Sequence, residues 1–169
     1  MKNIVITGFM ASGKTTVARY LSQITGMKII DTDVLIETLE NRTINEIFRQ
    51  EGEKYFRNKE KDISEMLAKE KDIIISTGGG FVLNTGNINN LRENGIVFLL
   101  DADFSVIESR IEKARAVRPV MNGKSIEEIK ELFEERRRFY NNCDYKIHVG
   151  NTNTPSELAK KILDIYEKE

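Results

Sequence analysis

The sequence predicts an α/β fold of three layers, helices on both faces of a five-stranded parallel sheet, from three observations. Short β-branched apolar runs alternate with helix-compatible stretches. The runs are nearly continuous rather than alternating, as suits strands covered on both faces. The polar motifs fall where these runs end, the edge at which open parallel sheets bind ligands. A chain of 169 residues has room for one domain with a substantial core, read as spanning residues 1–169. Two prolines, Pro119 and Pro155, are its only ones, and no linker or repeat divides it.

The first strand, Asn3 to Thr7, runs into GFMASGKTT at residues 8–16. Gly8, Gly13, Lys14 and Thr15 complete the pattern G-x-x-x-x-G-K-[ST] between a strand and a helix-compatible stretch, Thr16 to Leu21. Such a loop turns its N–H groups toward an anion at a helix N-terminus. Lys14 is expected to reach the β- and γ-phosphates of a nucleotide, and the Thr15 hydroxyl to ligate the accompanying magnesium.

The second strand, KIID at 28–31, leads into Asp31 and Asp33. Phosphoryl transfer asks acids to order a metal and to accept a proton from the attacking hydroxyl, and these two are candidates. Helix capping by Asp33 is the structural alternative. Residues 44–60 read as two helical pieces broken near Gly52, with Ile44, Ile47 and Phe48 on one buried face. Arg57, next to Phe56, is a candidate anion clamp.

The third strand, DIIIST at 72–77, ends at Gly78, Gly79 and Gly80, expected to bare their N–H groups to a ligand. The fourth, GIVFLL at 95–100, is followed by Asp101, read as a strand-end or capping residue. Arginine-rich residues 110–124 are expected to form a mobile lid, about 112–124, whose Arg118 swings over the γ-phosphate. Arg136 lies one helical turn before Tyr140 and shares its face. The fifth strand, YKIHV at 145–149, carries the single histidine, His148, read as structural.

These motifs together, GFMASGKTT, DTD, GExxFR over Gly52–Arg57, TGGG, Arg118-Pro119 and the Arg136-to-Tyr140 spacing, resemble the shikimate kinases, of the nucleoside-monophosphate-kinase-like group of P-loop folds. The resemblance spans nearly the whole chain. It implies transfer of the ATP γ-phosphate to the 3-hydroxyl of shikimate in the pathway to chorismate and aromatic amino acids. It implies Lys14, Asp33 and Arg118 as catalytic, with ATP on Ala11, Ser12, Gly13, Lys14, Thr15, Thr16, Arg110 and Arg118. Shikimate would lie on Asp33, Arg57, Gly78, Gly79, Gly80 and Arg136, within a helical insert at about 33–61, and Mg2+ on Thr15 and Asp31. Arg136, Arg137 and Arg138 compete for the carboxylate, and the spacing to Tyr140 selects Arg136. Ala11 stands where glycine is common.

Composition narrows the class further. With 26 basic and 27 acidic residues, a formal net charge of −1 predicts no nucleic-acid or membrane partner. The one cysteine, Cys143, and the lack of an apolar leader predict a cytoplasmic protein, expected to act as a monomer. A GTPase-type switch would carry D-x-x-G and N-K-x-D, and neither occurs: residues 58–61 read NKEK. A gluconate or nucleotide kinase would share the phosphate loop, but the Asp33, Arg57 and triple-glycine group suits a small hydroxylated acid.

Overall fold

The computed structural model describes residues 1–117 and 123–169. Five strands, β1 Asn3–Thr7, β2 Lys28–Asp31, β3 Ile73–Ser76, β4 Gly95–Ala102 and β5 Tyr145–Val149, form one parallel sheet in the order β2-β3-β1-β4-β5. All five expected strands are present, each within two residues of its expected ends. The three inner strands bury almost every residue, while the edge strands β2 and β5 leave part of theirs in contact with water. Two-sided burial is therefore the condition of the inner strands alone, which explains why Lys28, Lys146 and His148 are tolerated at the edges.

Among the described residues, eight α-helices connect and cover the sheet: α1 Lys14–Thr25, α2 Thr32–Glu40, α3 Ile44–Glu51, α4 Glu53–Leu67, α5 Thr85–Arg92, α6 Phe104–Val117, α7 Ile126–Tyr140 and α8 Pro155–Tyr166. In α1, Val17, Ala18 and Leu21 form the buried stripe, and Gly26 ends the helix at φ 74 with its N–H on the Ser22 carbonyl. Capping boxes start α3 (Thr43, Glu46), α7 (Ser125, Glu128) and α8 (Thr154, Glu157).

Helices α2, α3 and α4 fill the stretch between β2 and β3. Gly52, at φ 85, breaks α3 from α4 as expected, and Ile47 is buried with Ile44 and Phe48 packed partly beside it. Phe48 meets Phe56 across the break at 5.0 Å between ring centres. Glu40, at the end of α2, accepts from the Tyr55 hydroxyl at 2.9 Å and pairs with Arg42 and with Lys59 of α4. Hydrogen bonds from Arg42 and Lys59 hold its carboxyl down at about 2. This surface network fixes α2 against α4, and so fixes the two residues that these helices present to the sheet edge, Asp33 and Arg57.

The topology brings three loops together. Because β1 lies between β3 and β4, the phosphate loop leaves the middle of the sheet, with the Asp31–Asp33 turn and the Thr77–Gly80 loop leaving the same edge beside it.

Candidate active site

In the phosphate loop, Gly13 caps α1 at φ 98, in the left-handed region. Ala11 is also left-handed, at φ 59, a conformation that costs an L-residue roughly 1–2 kcal/mol and explains the usual preference for glycine there. The Lys14 ammonium donates to the carbonyls of Gly8 at 2.7 Å and Phe9 at 2.9 Å. Burial pushes its pKa down to about 8, while the nearby carboxylates of Asp33 and Asp31 oppose the shift. Arg110, on α6, donates to the Ala11 carbonyl at 2.8 Å and rests against Gly13, which puts it on the rim of the phosphate loop. Ser12 is buried, whereas Thr15 and Thr16 are exposed in the first turn of α1.

The capping alternative raised for Asp33 falls to Asp31. Its Oδ1 accepts the N–H groups of Asp33 at 3.0 Å and Val34 at 3.2 Å. Asp33 is thereby released from capping, and burial, reinforced by the Asp31 charge, raises its carboxyl to about 6.

The three glycines have a reason the sequence did not disclose. None of them has positive φ, and the Gly78 N–H is not bare but donates to the Thr32 hydroxyl at 2.9 Å. What Gly78 and Gly80 supply is the lack of a side chain. A Cβ on Gly78 would lie 2.3 Å from Asp33 Oδ1, and one on Gly80 would lie 2.5 Å from the Arg57 guanidinium. At Gly79 the nearest atoms would be Met10 N of the phosphate loop at 3.6 Å and Arg136 Nη1 at 3.9 Å. Gly78 and Gly80 thus make room for Asp33 and Arg57, and Gly79 lies in ordinary contact with Arg136 and the phosphate loop, so all four converge on three residues of chain.

Arg57 is held as a fork. Its Nη1 donates to Glu60 at 2.7 Å, and Nη2 meets Glu53 at 3.2 Å. Glu60, 1% exposed, carries one oxygen without a partner among the described residues, and burial raises its carboxyl to about 7. Sequence reasoning missed Glu60. Its signal was the i, i+3 spacing from Arg57, which is indistinguishable from that of a solvated pair.

The three arginines differ in their surroundings. Arg136 has a buried Nε without a partner among the described residues and lies beside Tyr140, whose hydroxyl donates to the Gly79 carbonyl. Arg137 approaches Glu134 at 4.0 Å with 69% of its side chain exposed, and Arg138 stacks on Phe139 at 4.8 Å. Of the expected lid, residues 112–117 continue α6, and Arg118 lies outside the described residues. Asp101 ends no strand, since β4 runs on to Ala102, and His148 is exposed, 3.6 Å from Asp103. Among the described residues no helix is long and apolar enough to cross a membrane.

Gly80→Ala is expected to displace the Arg57 fork while leaving the nucleotide side intact. A misplacement of this size costs about 10²-fold in kcat/KM, and it should appear as a raised KM for the acceptor with an unchanged KM for the nucleotide.

A complete phosphate loop beside a buried carboxylate and two arginines defines a P-loop phosphotransferase acting on a small anionic acceptor. The shikimate kinase family model matches residues 10–167. The shikimate kinase of Caldanaerobacter subterraneus subsp. tengcongensis is 43% identical over 99% of this chain and 98% of its own length. That of Caldicellulosiruptor bescii is 41% identical over 98% and 96%. Among solved structures, shikimate kinase from Acinetobacter baumannii in complex with shikimate superposes with a TM-score of 0.87 at 30% identity, covering 99% of this chain and 94% of that one. The chain belongs to the shikimate kinase family.

Proposed function

We propose that this chain catalyses ATP-dependent phosphorylation of shikimate at its 3-hydroxyl through the residues gathered on Gly78–Gly80. The observation that carries this reading is the convergence of one carboxylate and two guanidinium groups on the loop that also abuts the phosphate loop. Shikimate is a carboxylate bearing three hydroxyls. Arg57 and Arg136 grip the carboxylate, whose plane a bidentate pair fixes. Asp33 and the Gly79 N–H orient the hydroxyls, and Asp33 accepts the proton of the attacking one.

The phosphate loop, residues 11–16, cradles ATP, with Arg110 on its rim. Lys14 exchanges its two loop carbonyls for phosphate oxygens and balances charge that develops during transfer. Arg118 neutralises charge that builds on the γ-phosphoryl group during transfer. Mg2+ binds few protein groups and completes its shell with phosphate and water, which the exposed Thr15 hydroxyl and the Asp31 carboxylate fit. When bound, it neutralises the phosphates and orients the γ-phosphoryl group. The chain acts as a cytoplasmic monomer without nucleic-acid or membrane partners.

The test is titration of Arg57 variants with shikimate and, separately, with ATP. Lysine keeps the charge but loses the fork, so Arg57→Lys should weaken shikimate about tenfold and Arg57→Ala further, with ATP affinity close to wild type. Unchanged shikimate affinity in Arg57→Ala would refute the clamp.

A further inference from the structure

A second cavity, of about 250 Å³, lies between α7 and the β4–β5 edge of the sheet. Its floor is apolar: Phe9 and Tyr140 are 3% and 5% exposed, and Phe9 meets Phe133 edge-on at 5.2 Å. Register sets its charged rim. Leu99 is paired with Lys146 across β4 and β5, so Leu99, Asp101 and Lys146 all project to one face, which α7 covers with Phe133 and Arg137.

The rim has bonding capacity to spare. The Asp101 side chain has no ion pair or hydrogen bond among the described residues, and Lys146 spends one of its three N–H donors, on Asn141 at 2.7 Å. The Arg137 contact with Glu134 is at the limit of an ion pair. One anion and two cations around an aromatic floor are complementary to a zwitterion with an apolar body. The volume, just below the roughly 300 Å³ at which drug-sized pockets begin, restricts that body to a small molecule.

We propose that this cavity is a second ligand site for an α-amino acid with an apolar side chain, its ammonium on Asp101 and its carboxylate on Arg137 and Lys146. The side chain rests on Phe9, Phe133 and Leu99. Such a ligand is coupled to the nucleotide, because both walls belong to the active site. The Phe9 carbonyl receives the Lys14 ammonium and the Ser12 N–H, and the Tyr140 hydroxyl holds the Gly79 carbonyl. The site requires neither shikimate nor turnover, so its failure is separable from that of the kinase assignment.

The experiment is calorimetric titration of the whole protein with L-phenylalanine, with and without ATP. Saturable binding is expected, weakened about tenfold by Asp101→Asn or Arg137→Gln. On the unmodified protein, 3-phenylpropionate, which lacks the ammonium, and phenethylamine, which lacks the carboxylate, should each bind as weakly as those variants bind L-phenylalanine. ATP and L-phenylalanine should alter each other's affinity by the same factor, about fivefold or more. No saturation by about 10 mM, or equal binding of all three compounds, overturns the site. Saturable binding that leaves ATP affinity unchanged overturns the coupling.

Discussion

Lys14→Ala is expected to give a folded protein whose turnover has fallen by about 10²–10³-fold, the loss typical of removing one fixed partner from a transition-state charge. The structure indicates why folding should survive. Among the described residues the Lys14 ammonium bonds to two carbonyls of its own loop alone, and burial already pulls its pKa down to about 8, so the charge is held in the fold at a cost. Its removal relieves that cost, and the Phe9 carbonyl keeps the Ser12 N–H as a partner. Turnover and circular dichroism measured together check the result, and wild-type turnover in the variant would refute the nucleotide assignment.

Asp33→Asn should lower turnover by about 10²–10⁴-fold, the range for losing a positioned general base. Capping does not confuse the outcome, because the helix cap is Asp31. The pH dependence supplies the sign. With the Asp33 carboxyl raised to about 6, the base is ionised only above that pH, so kcat/KM of the wild-type enzyme should fall as pH drops through about 6. That acid limb should vanish in the residual activity of Asp33→Asn.

Stability follows the opposite course. A carboxyl raised in the fold contributes stability that is full below its unfolded value of 3.8 and is lost as pH rises through about 6. Asparagine resembles the protonated acid, so at pH 7 the thermal midpoint of the variant should equal or exceed that of the wild type. A folded variant with near-normal turnover would return Asp33 to a structural role.

The sheet was legible because its inner strands are uninterrupted apolar runs, and periodicity needs no tertiary knowledge to be read there. The phosphate loop was legible because anion binding by backbone N–H groups imposes glycines at fixed spacing. The break at Gly52 was legible for a similar local reason, a positive φ that glycine accommodates. Less was visible in TGGG. Conformational freedom and bare N–H groups are what a run of glycines suggests, whereas the fold uses Gly78 and Gly80 for clearance around Asp33 and Arg57, residues 45 and 23 positions away in the chain. Glu60 was invisible for the same reason. Its burial depends on how α4 sits against the sheet edge, and its spacing from Arg57 is shared with many exposed pairs. Which of Asp31 and Asp33 caps the helix turned on a difference of two residues at a helix start, where sequence alone does not fix which side chain folds back.

Selection of shikimate by Asp33, Arg57 and Arg136 on the triple-glycine loop should show in the acceptor preference of the purified protein. Its most direct test is ADP release from ATP by the purified protein, coupled to a spectrophotometric readout, across shikimate, quinate, gluconate and nucleoside monophosphates in parallel. Shikimate should give the highest kcat/KM, with that preference lost in Arg57→Ala. A higher kcat/KM for gluconate or for any nucleoside monophosphate than for shikimate would contradict it.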